Sequence, residues 1–474
     1  MPGRNVLLAG AAGVASAVLF YFGTGLHPIW WTLWLAPVPV LAIAPRLSRL
    51  TTFLVATAAF LIGGLNMWNY LAHELGLPRP LIIASLVIPA VLFGLGVLFV
   101  RTLIRQGLLG AAALALPVYW VTIEYLAAVS SPHSTFGNLG YTQMDCLPII
   151  QIASITGIWG IAFIVLLFAG TLAVLLSGAG NPRNRLALAI AVAAFICVVF
   201  VFGEWRLRKT AGDRSVTVTL IGKDVPMSAY LGSEEQSLKL LREYADEIRH
   251  VTPPGTDVVV LPEKIARVDE KTLPQVDALF SAAADATHAK IDLGLVRRTP
   301  SGGFNSSRFY FVDGTVENYD KHHLLPGVEP EKPGDKRVIL DQPSGHWGLQ
   351  ICKDMDFPKL SREYASDGAN LMLVPAWDFN LDRWLHARMA VLRAVENGFG
   401  LARSARNGLL TLADNRGRIL EETKTLPDRF IAITGQINVG RDKTFYSWTG
   451  DWFAWACVAT FIILLVSRFL HRSL

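Results

Sequence analysis

Asp257-Val-Val-Val-Leu-Pro-Glu263 is a short apolar run of β-branched residues, closed by a proline, that delivers a carboxylate just past a buried strand. Two further stretches also end in reactive groups: Tyr319-Asp-Lys321 presents an ammonium after a hairpin, and Gly348-Leu-Gln-Ile-Cys352 presents a thiol at a strand end. Around them, β-rich runs at 216–221, 257–261, 291–296, 309–312, 347–351, 371–374, 399–403, 409–413 and 430–435 alternate with helical patterns at 234–249, 273–286, 359–367 and 385–397. Strands interleaved with helices and hairpins predict an α/β layered fold of about 230 residues, the size of one domain.

A carboxylate, an ammonium and a thiol at three strand ends suit acyl transfer through a covalent thioester. Cysteine is a strong nucleophile only as the thiolate, so a neighbouring base must take its proton, and Glu263 can do so where burial makes its carboxylate basic enough. Attack on a carbonyl creates an oxyanion, which a fixed ammonium such as Lys321 stabilises with help from a backbone N–H beside Cys352. Alone, a glutamate after a strand is usually solvated, a lysine beside Asp320 reads as a surface pair, and a lone cysteine is most often a small core residue. The argument rests on the ordered set.

Outward from this segment the composition changes. The chain has 474 residues, 52% hydrophobic but only 17% charged, against about 25% charge in an ordinary soluble domain. Residues 1–209 carry a net +7, residues 210–445 a net −3 and residues 446–474 a net +1. The basic excess therefore lies in the apolar ends, which excludes a basic nucleic-acid-binding domain. High hydrophobicity excludes disorder. Apolar spans are expected near 5–22, 29–45, 51–70, 81–100, 108–128, 149–177 and 186–203, with another near 452–467. The division is thus a membrane domain at 1–209 with about seven transmembrane helices, an extracytoplasmic domain at 210–445 and a C-terminal transmembrane helix at 446–474. The first span reads as an uncleaved anchor rather than a signal peptide, because it ends in Phe20-Tyr-Phe22 and not at a small-residue cleavage site.

Arg4, Arg46, Arg49, Arg101, Arg105, Arg183, Arg185, Arg468 and Arg472 fall on one side of the alternating spans, and Arg79 is the basic residue of a short loop opposite. The positive-inside rule makes the first side cytoplasmic and, with an odd number of spans, places 210–445 outside. Cys146, Cys197 and Cys457 lie in or beside spans, so no disulfide framework is expected and Cys352 stands alone in the polar domain. Glu124 is the main ionisable group within the spans, too few for a transport path.

Leu-Pro-Glu263, Tyr-Asp-Lys321-His-His-Leu-Leu-Pro and Ile-Cys352-Lys-Asp, in this order, resemble the Glu-Lys-Cys motifs of the nitrilase (carbon-nitrogen hydrolase) superfamily. With spans on both sides, the chain is similar to the membrane-embedded apolipoprotein N-acyltransferase family. The likeness extends to Phe136-Gly-Asn-Leu-Gly-Tyr141-Thr-Gln143, Gln151 to Gly160, Phe304-Asn305-Ser306, His386 with Arg393 and Glu396, Asn407-Gly408, and Thr444 to Trp452. The resemblance implies a multi-span α-helical membrane bundle plus an α/β nitrilase-like domain, an αββα sandwich, in a multi-pass protein of the bacterial cytoplasmic (inner) membrane. It also implies a ping-pong reaction with Glu263 as base, Cys352 as nucleophile and Lys321 as oxyanion stabiliser. The acyl donor would be a phospholipid and the acceptor the amine of a diacylglyceryl-modified apolipoprotein, with no metal, ATP or organic cofactor. Glu329, eight residues after the lysine, is expected to orient Lys321 or support the base. Residues 326–337 form a long glycine- and proline-containing loop placed to act as a lid. Trp377, Phe379 and Trp384 form an aromatic edge.

The chain departs from the family pattern at the pocket. Lys353 and Asp354 follow the nucleophile where an aromatic residue and a glutamate are usual, and the Lys353 charge is expected to favour the thiolate. Gly222-Lys-Asp-Val-Pro226 lacks the usual asparagine-containing segment, and Pro375-Ala-Trp-Asp378 replaces Asn-Asp-Ala-Trp. Two other readings compete: a membrane-tethered amidase or nitrilase using the same triad on a small amide, and a transporter or receptor whose polar domain only binds ligand.

Overall fold

The computed structural model describes residues 2–210, 212–225, 232–440 and 442–470; Arg472 and Pro226 lie outside the described residues. The chain divides into two compact units, one of Met1–Ser130, Thr135–Leu207 and Asp451–Leu474, the other of Ser131–Ser134 and Arg208–Gly450. The short helix Phe445–Thr449 belongs to the second unit.

In the first unit, six helices among the described residues are long and apolar enough to cross a membrane: Asn5–Gly23, Arg49–Met67, Arg79–Arg105, Leu109–Ser130, Ile158–Ser177 and Pro182–Arg208. Thr32–Arg46, Leu147–Thr156 and Trp452–Ser467 are apolar but shorter. This corrects two sequence expectations. The second expected span is not one helix, because Pro37 and Pro39 lack the N–H groups a continuous helix needs, and it forms Thr32–Leu35, Val38–Ile43 and Ala44–Arg46 in succession. The sixth is interrupted at Gly157, whose φ of 66° ends the helix Ala153–Thr156 and starts Ile158–Ser177.

The broken segment still runs the length of the bundle. A Cβ on Gly13 would touch Val55, and one on Gly63 would strike Phe20, so the helices Pro2–Gly23 and Arg49–Gly64 run parallel. Thr32 lies against Gly23, whereas Ile43 and Leu47 pack with Ala9. The segment between the parallel helices therefore returns antiparallel to both. Gly94 against Phe53 and Thr57, Tyr119 against Leu92, Gly170 against Ala113, and Gly203 against Pro148 continue the alternation. Counting Thr32–Arg46, the described chain traverses the bundle seven times before Arg208. Arg101 is buried and donates to the carbonyls of Ala44 and Leu47, which puts Arg46, Arg49 and Arg101 at one end. Arg79 begins the same helix, roughly 33 Å from Arg101 at about 1.5 Å per residue.

The second unit is built on two sheets. Its strands are β1 (Arg214–Gly222), β2 (Val258–Val260), β3 (Arg267–Asp269), β4 (Lys290–Thr299), β5 (Gly302–Tyr310), β6 (Val316–Asp320), β7 (Ile339–Gln342), β8 (Gly345–Leu349), β9 (Ala369–Trp377), β10 (Gly400–Arg406), β11 (Leu409–Ala413), β12 (Ile419–Lys424) and β13 (Ile431–Val439). One sheet has the order β13-β1-β2-β4-β5-β6, with β3 beside β4; the other runs β12-β11-β10-β9-β8-β7. Parallel pairs β1–β2, β2–β4, β8–β9 and β9–β10 form the centres, and antiparallel pairs form the margins.

Alternation along a strand sends successive side chains to opposite faces. Ile291, Leu293 and Leu295 of β4 pack outward with Leu241, Tyr244 and Ile248 of the helix Glu234–Val251 and Phe280 of the helix Leu273–Thr287. The second sheet carries Pro358–Ser366 and Arg383–Asn397. β1 meets β10 and β4 meets β9 between the sheets, which gives four layers, helix–sheet–sheet–helix. The fold is the expected αββα sandwich.

Candidate active site

Glu263, Lys321 and Cys352 all leave their strands at one end of the layer between the sheets. Past β2, the Glu263 amide donates to the Ala376 carbonyl of β9 at 3.1 Å, so the base segment is tied to the opposite sheet. Gly294 allows this approach: a Cβ there would lie 2.3 Å from the Pro262 carbonyl oxygen and 2.6 Å from the Glu263 Cα. Past β6, the Lys321 amide donates to the Asn305 carbonyl at 2.8 Å. Past β8, Cys352 begins the turn Cys352–Asp356 with φ at +42°. A non-glycine residue there stores on the order of 1–3 kcal/mol, a cost typical of functional turns.

The Lys321 ammonium is 2.8 Å from Glu263 Oε1 and 2.8 Å from Glu329 Oε2, and all three side chains are at most 6% exposed. Asn305 Nδ2 donates to Glu263 Oε1 at 2.5 Å and to Glu329 Oε1 at 2.8 Å, bridging the two carboxylates. The Leu325 amide adds a bond to Glu329 Oε2 at 2.7 Å. Burial would lower the Lys321 pKa, but the adjoining Glu263 and Glu329 charges more than offset it and hold it well above the usual lysine value. Burial would likewise raise Glu329; Lys321 and Lys264 prevail and bring its carboxyl down to about 2.

Cys352 is partly exposed. Its thiol donates to the Trp377 carbonyl at 3.4 Å. Desolvation and then the Glu263 charge push it well above its ordinary value, against the opposing charge of Lys321. The resting nucleophile is therefore a thiol, and chemistry at sulfur requires a base. The Asp378–Arg403 pair, fully buried, also bears on this sulfur.

The residues around the triad differ in part from expectation. Lys353 does not direct its charge at the sulfur: its ammonium is 3.2 Å from Asp356 and stands over the Phe357 ring. Asp354, fully buried, accepts from Tyr319 Oη at 2.6 Å, from the His323 amide at 2.8 Å and from the Ile351 amide at 3.2 Å. Tyr319 and His323 flank Lys321, so this carboxylate fastens the lysine-bearing strand to the cysteine-bearing turn. Trp377 contributes its carbonyl to Cys352, while its ring lies 3.8 Å from the Arg406 guanidinium. His386 is 3.0 Å from Asp382 and 3.8 Å from Asp378. Burial opposes its charge, but Asp382 and its neighbours raise it to about 9, so it is a cation.

Sequence reasoning missed Lys264 and Glu331 and quoted Asn305 without a role. Lys264 Nζ is 2.9 Å from Glu329 Oε1 and 2.9 Å from Glu331 Oε2. The signal was in the spacing Glu329-x-Glu331, two carboxylates on one side of an extended loop, but their partner directly follows the base. Among the described residues no group of three or more His, Cys, Asp or Glu could hold a metal ion.

A geometry of this kind has relatives. A family model described as the apolipoprotein N-acyltransferase N-terminal domain matches residues 16–171, and one described as carbon-nitrogen hydrolase matches residues 218–431. The chain is 26% identical over 539 aligned residues to the apolipoprotein N-acyltransferase of Geobacter metallireducens, covering 100% of this chain and 97% of that one. With apolipoprotein N-acyltransferase 1 of Treponema denticola it shares 22% identity over 554 aligned residues, with 99% and 98% covered. Among solved structures, Saccharomyces cerevisiae Nit3, a member of branch 10 of the nitrilase superfamily, is 22% identical over 48% of this chain and 92% of its own, with a TM-score of 0.40.

Proposed function

The chain belongs to the apolipoprotein N-acyltransferase family of carbon-nitrogen hydrolases, and from that membership we propose a mechanism for its N-acyltransferase activity on lipoproteins. The donor is a phospholipid and the acceptor is the α-amino group of a diacylglyceryl-modified N-terminal cysteine. Glu263 takes the Cys352 proton, and the thiolate adds to the ester carbonyl carbon. The resulting oxyanion is met by the Lys321 ammonium and a backbone N–H of the turn Cys352–Asp356. Collapse breaks the ester C–O bond, Glu263 returns the proton to the departing lysophospholipid oxygen, and an acyl thioester remains on Cys352. The acceptor amine then attacks this thioester carbonyl. Glu263 removes a proton from the amine and hands it to the departing sulfur, leaving an amide and a free thiol.

The observation that carries this reading is the Lys321–Glu263 ion pair, 97% removed from solvent, beside a thiol that cannot ionise without a base. The tethered-amidase alternative is set aside, because the named relatives match the membrane half as well as the catalytic half. The chain is a multi-pass membrane protein, and we infer that it resides in the cytoplasmic (inner) membrane. The bundle end bearing Arg46, Arg49 and Arg101 faces the cytoplasm, and seven traverses bring the chain out on the other side at Arg208, so the catalytic domain is extracytoplasmic. The reading is tested by supplying the full-length protein with phospholipid labelled in its acyl chain and a diacylglyceryl-cysteine peptide. Label must appear in an amide on the peptide; label released only as free fatty acid would make the protein a hydrolase.

A further inference from the structure

Glu263 and Lys264 are consecutive, and in an extended strand their side chains would point to opposite faces. They do not, because Lys264 has φ at +52°, which breaks the alternation and brings both into one buried network. The network is a chain of alternating charge: Glu263, Lys321, Glu329, Lys264 and Glu331, joined by contacts of 2.8 to 2.9 Å, with every side chain at most 6% exposed. Along this chain of five groups, three carboxylates alternate with two ammonium groups. Without Lys264, the Lys321 ammonium would meet the Glu329 carboxylate more fully, because Glu329 divides its two oxygens between these two lysines. It would then be drawn from the base and the sulfur toward the loop that carries Glu329 and Glu331. The backbone of Lys264 is itself fixed, since Arg406 Nη1 donates to its carbonyl at 2.9 Å and the same guanidinium covers the Trp377 ring.

We propose that Lys264 is a positioning residue for the transfer reaction: it holds Glu329 and Glu331 so that the Lys321 ammonium stays directed at Glu263 and the Cys352 thiol. The groups facing that thiol are Glu263 and Lys321 from the first sheet and the mutually neutralising Asp378 and Arg403 from the second. Lys264 therefore sets the balance through Glu329 and Lys321, and it touches no reacting atom. Its role in turnover rests on the acyl-thioester reading; its effect on the sulfur does not, and the two separate experimentally.

The experiment follows alkylation of Cys352 by iodoacetamide against pH in the full-length protein in detergent, read on the Cys352 peptide by mass spectrometry, with no lipid substrate present. Removing the cation in Lys264→Met raises the midpoint by about one pH unit, which slows alkylation about tenfold below the midpoint. Glu331→Gln removes one carboxylate and moves the midpoint down. The double variant, which restores the net charge, returns alkylation at pH 7 to within about threefold of the parent, and Lys264→Arg keeps the parent profile. An unchanged profile in Lys264→Met, or a shift that persists in the double variant, overturns the proposal and leaves Lys264 as a packing residue. If Lys264→Met does not fold, Glu331→Gln carries the test, and a midpoint that stays or rises there overturns it equally. Should the parent transfer no acyl group at all while these shifts appear, the functional reading fails and the positioning role stands.

Discussion

His386 shows how a single buried cation ties site architecture to pH. The carboxylates of Asp382 and Asp378 surround it and raise it to about 9 against the cost of desolvation. A group whose folded pKa is raised contributes stability that is fully present below its unfolded value, about 6.5, and is lost as pH rises through the folded one. His386→Gln should therefore lower the melting temperature relative to the parent most at pH 6, with the difference shrinking steadily between pH 6.5 and 9. A difference that grows over that interval would mean that His386 is neutral in the folded protein. At this scale Glu263 was legible because it ends an apolar run, where the sequence itself marks the strand boundary, and Lys321 and Cys352 because they follow a hairpin and a strand in the same order. Lys264 was not, because nothing in the letters signals that its backbone turns left-handed. Asp354 was legible as a departure from the family pattern, yet its work, fastening Tyr319 and the His323 amide to the nucleophile's turn, depends on contacts 35 and 31 residues away in the chain.

Among elements, β4 and β5 carry the greatest constraint. Gly294 of β4 lies beneath the Pro262–Glu263 segment, where a Cβ would fall 2.3 Å from backbone oxygen, a separation no flexible side chain can relieve. Gly294→Ala is expected to displace the base, lowering kcat at least about tenfold, equivalent to about 1.4 kcal/mol of transition-state stabilisation, while destabilising the fold by about 1–3 kcal/mol. Steady-state transfer kinetics and thermal unfolding on the same preparation check it; a kcat within twofold of the parent would show that the segment can move without consequence. The sequence placed β5 at 309–312, whereas it begins at Gly302. Its middle, Asn305-Ser306-Ser307, is buried but polar, so the hydrophobic alternation used to find strands is absent where the strand serves the site. The edge strands β7 and β12 were missed for a related reason, being short or rich in charge. Leu409–Ala413, apolar apart from Thr411, was found to the residue.

For the whole molecule, the charge arithmetic and the packing arrive at one arrangement by separate routes. The basic excess of residues 1–209 marked one side from composition, and the contacts of Arg101 with the Ala44 and Leu47 carbonyls place three of those arginines together at one bundle end. The number of traverses was harder to read than the number of apolar stretches. Two prolines cut the second stretch into pieces too short to count by length, and only its packing against Gly23 and Ala9 shows that it runs the full course. Topology mapping with an impermeant thiol reagent on single cysteines should label an exposed position such as Lys359 from outside intact spheroplasts and Arg183 only after lysis. The reverse pattern would mean that the bundle end bearing Arg46, Arg49 and Arg101 does not face the cytoplasm.

The central claim is that Cys352 carries the acyl group between donor and acceptor. Its most direct test is the intact mass of full-length protein mixed with phosphatidylethanolamine of defined acyl chain and no acceptor. The expected result is a mass increase of one acyl chain on the Cys352 peptide, removed by neutral hydroxylamine, discharged as an amide when a diacylglyceryl-cysteine peptide is added, and absent from a folded, membrane-inserted Cys352→Ala variant. Transfer to the peptide that survives in Cys352→Ala, or an adduct on another residue, would contradict the account.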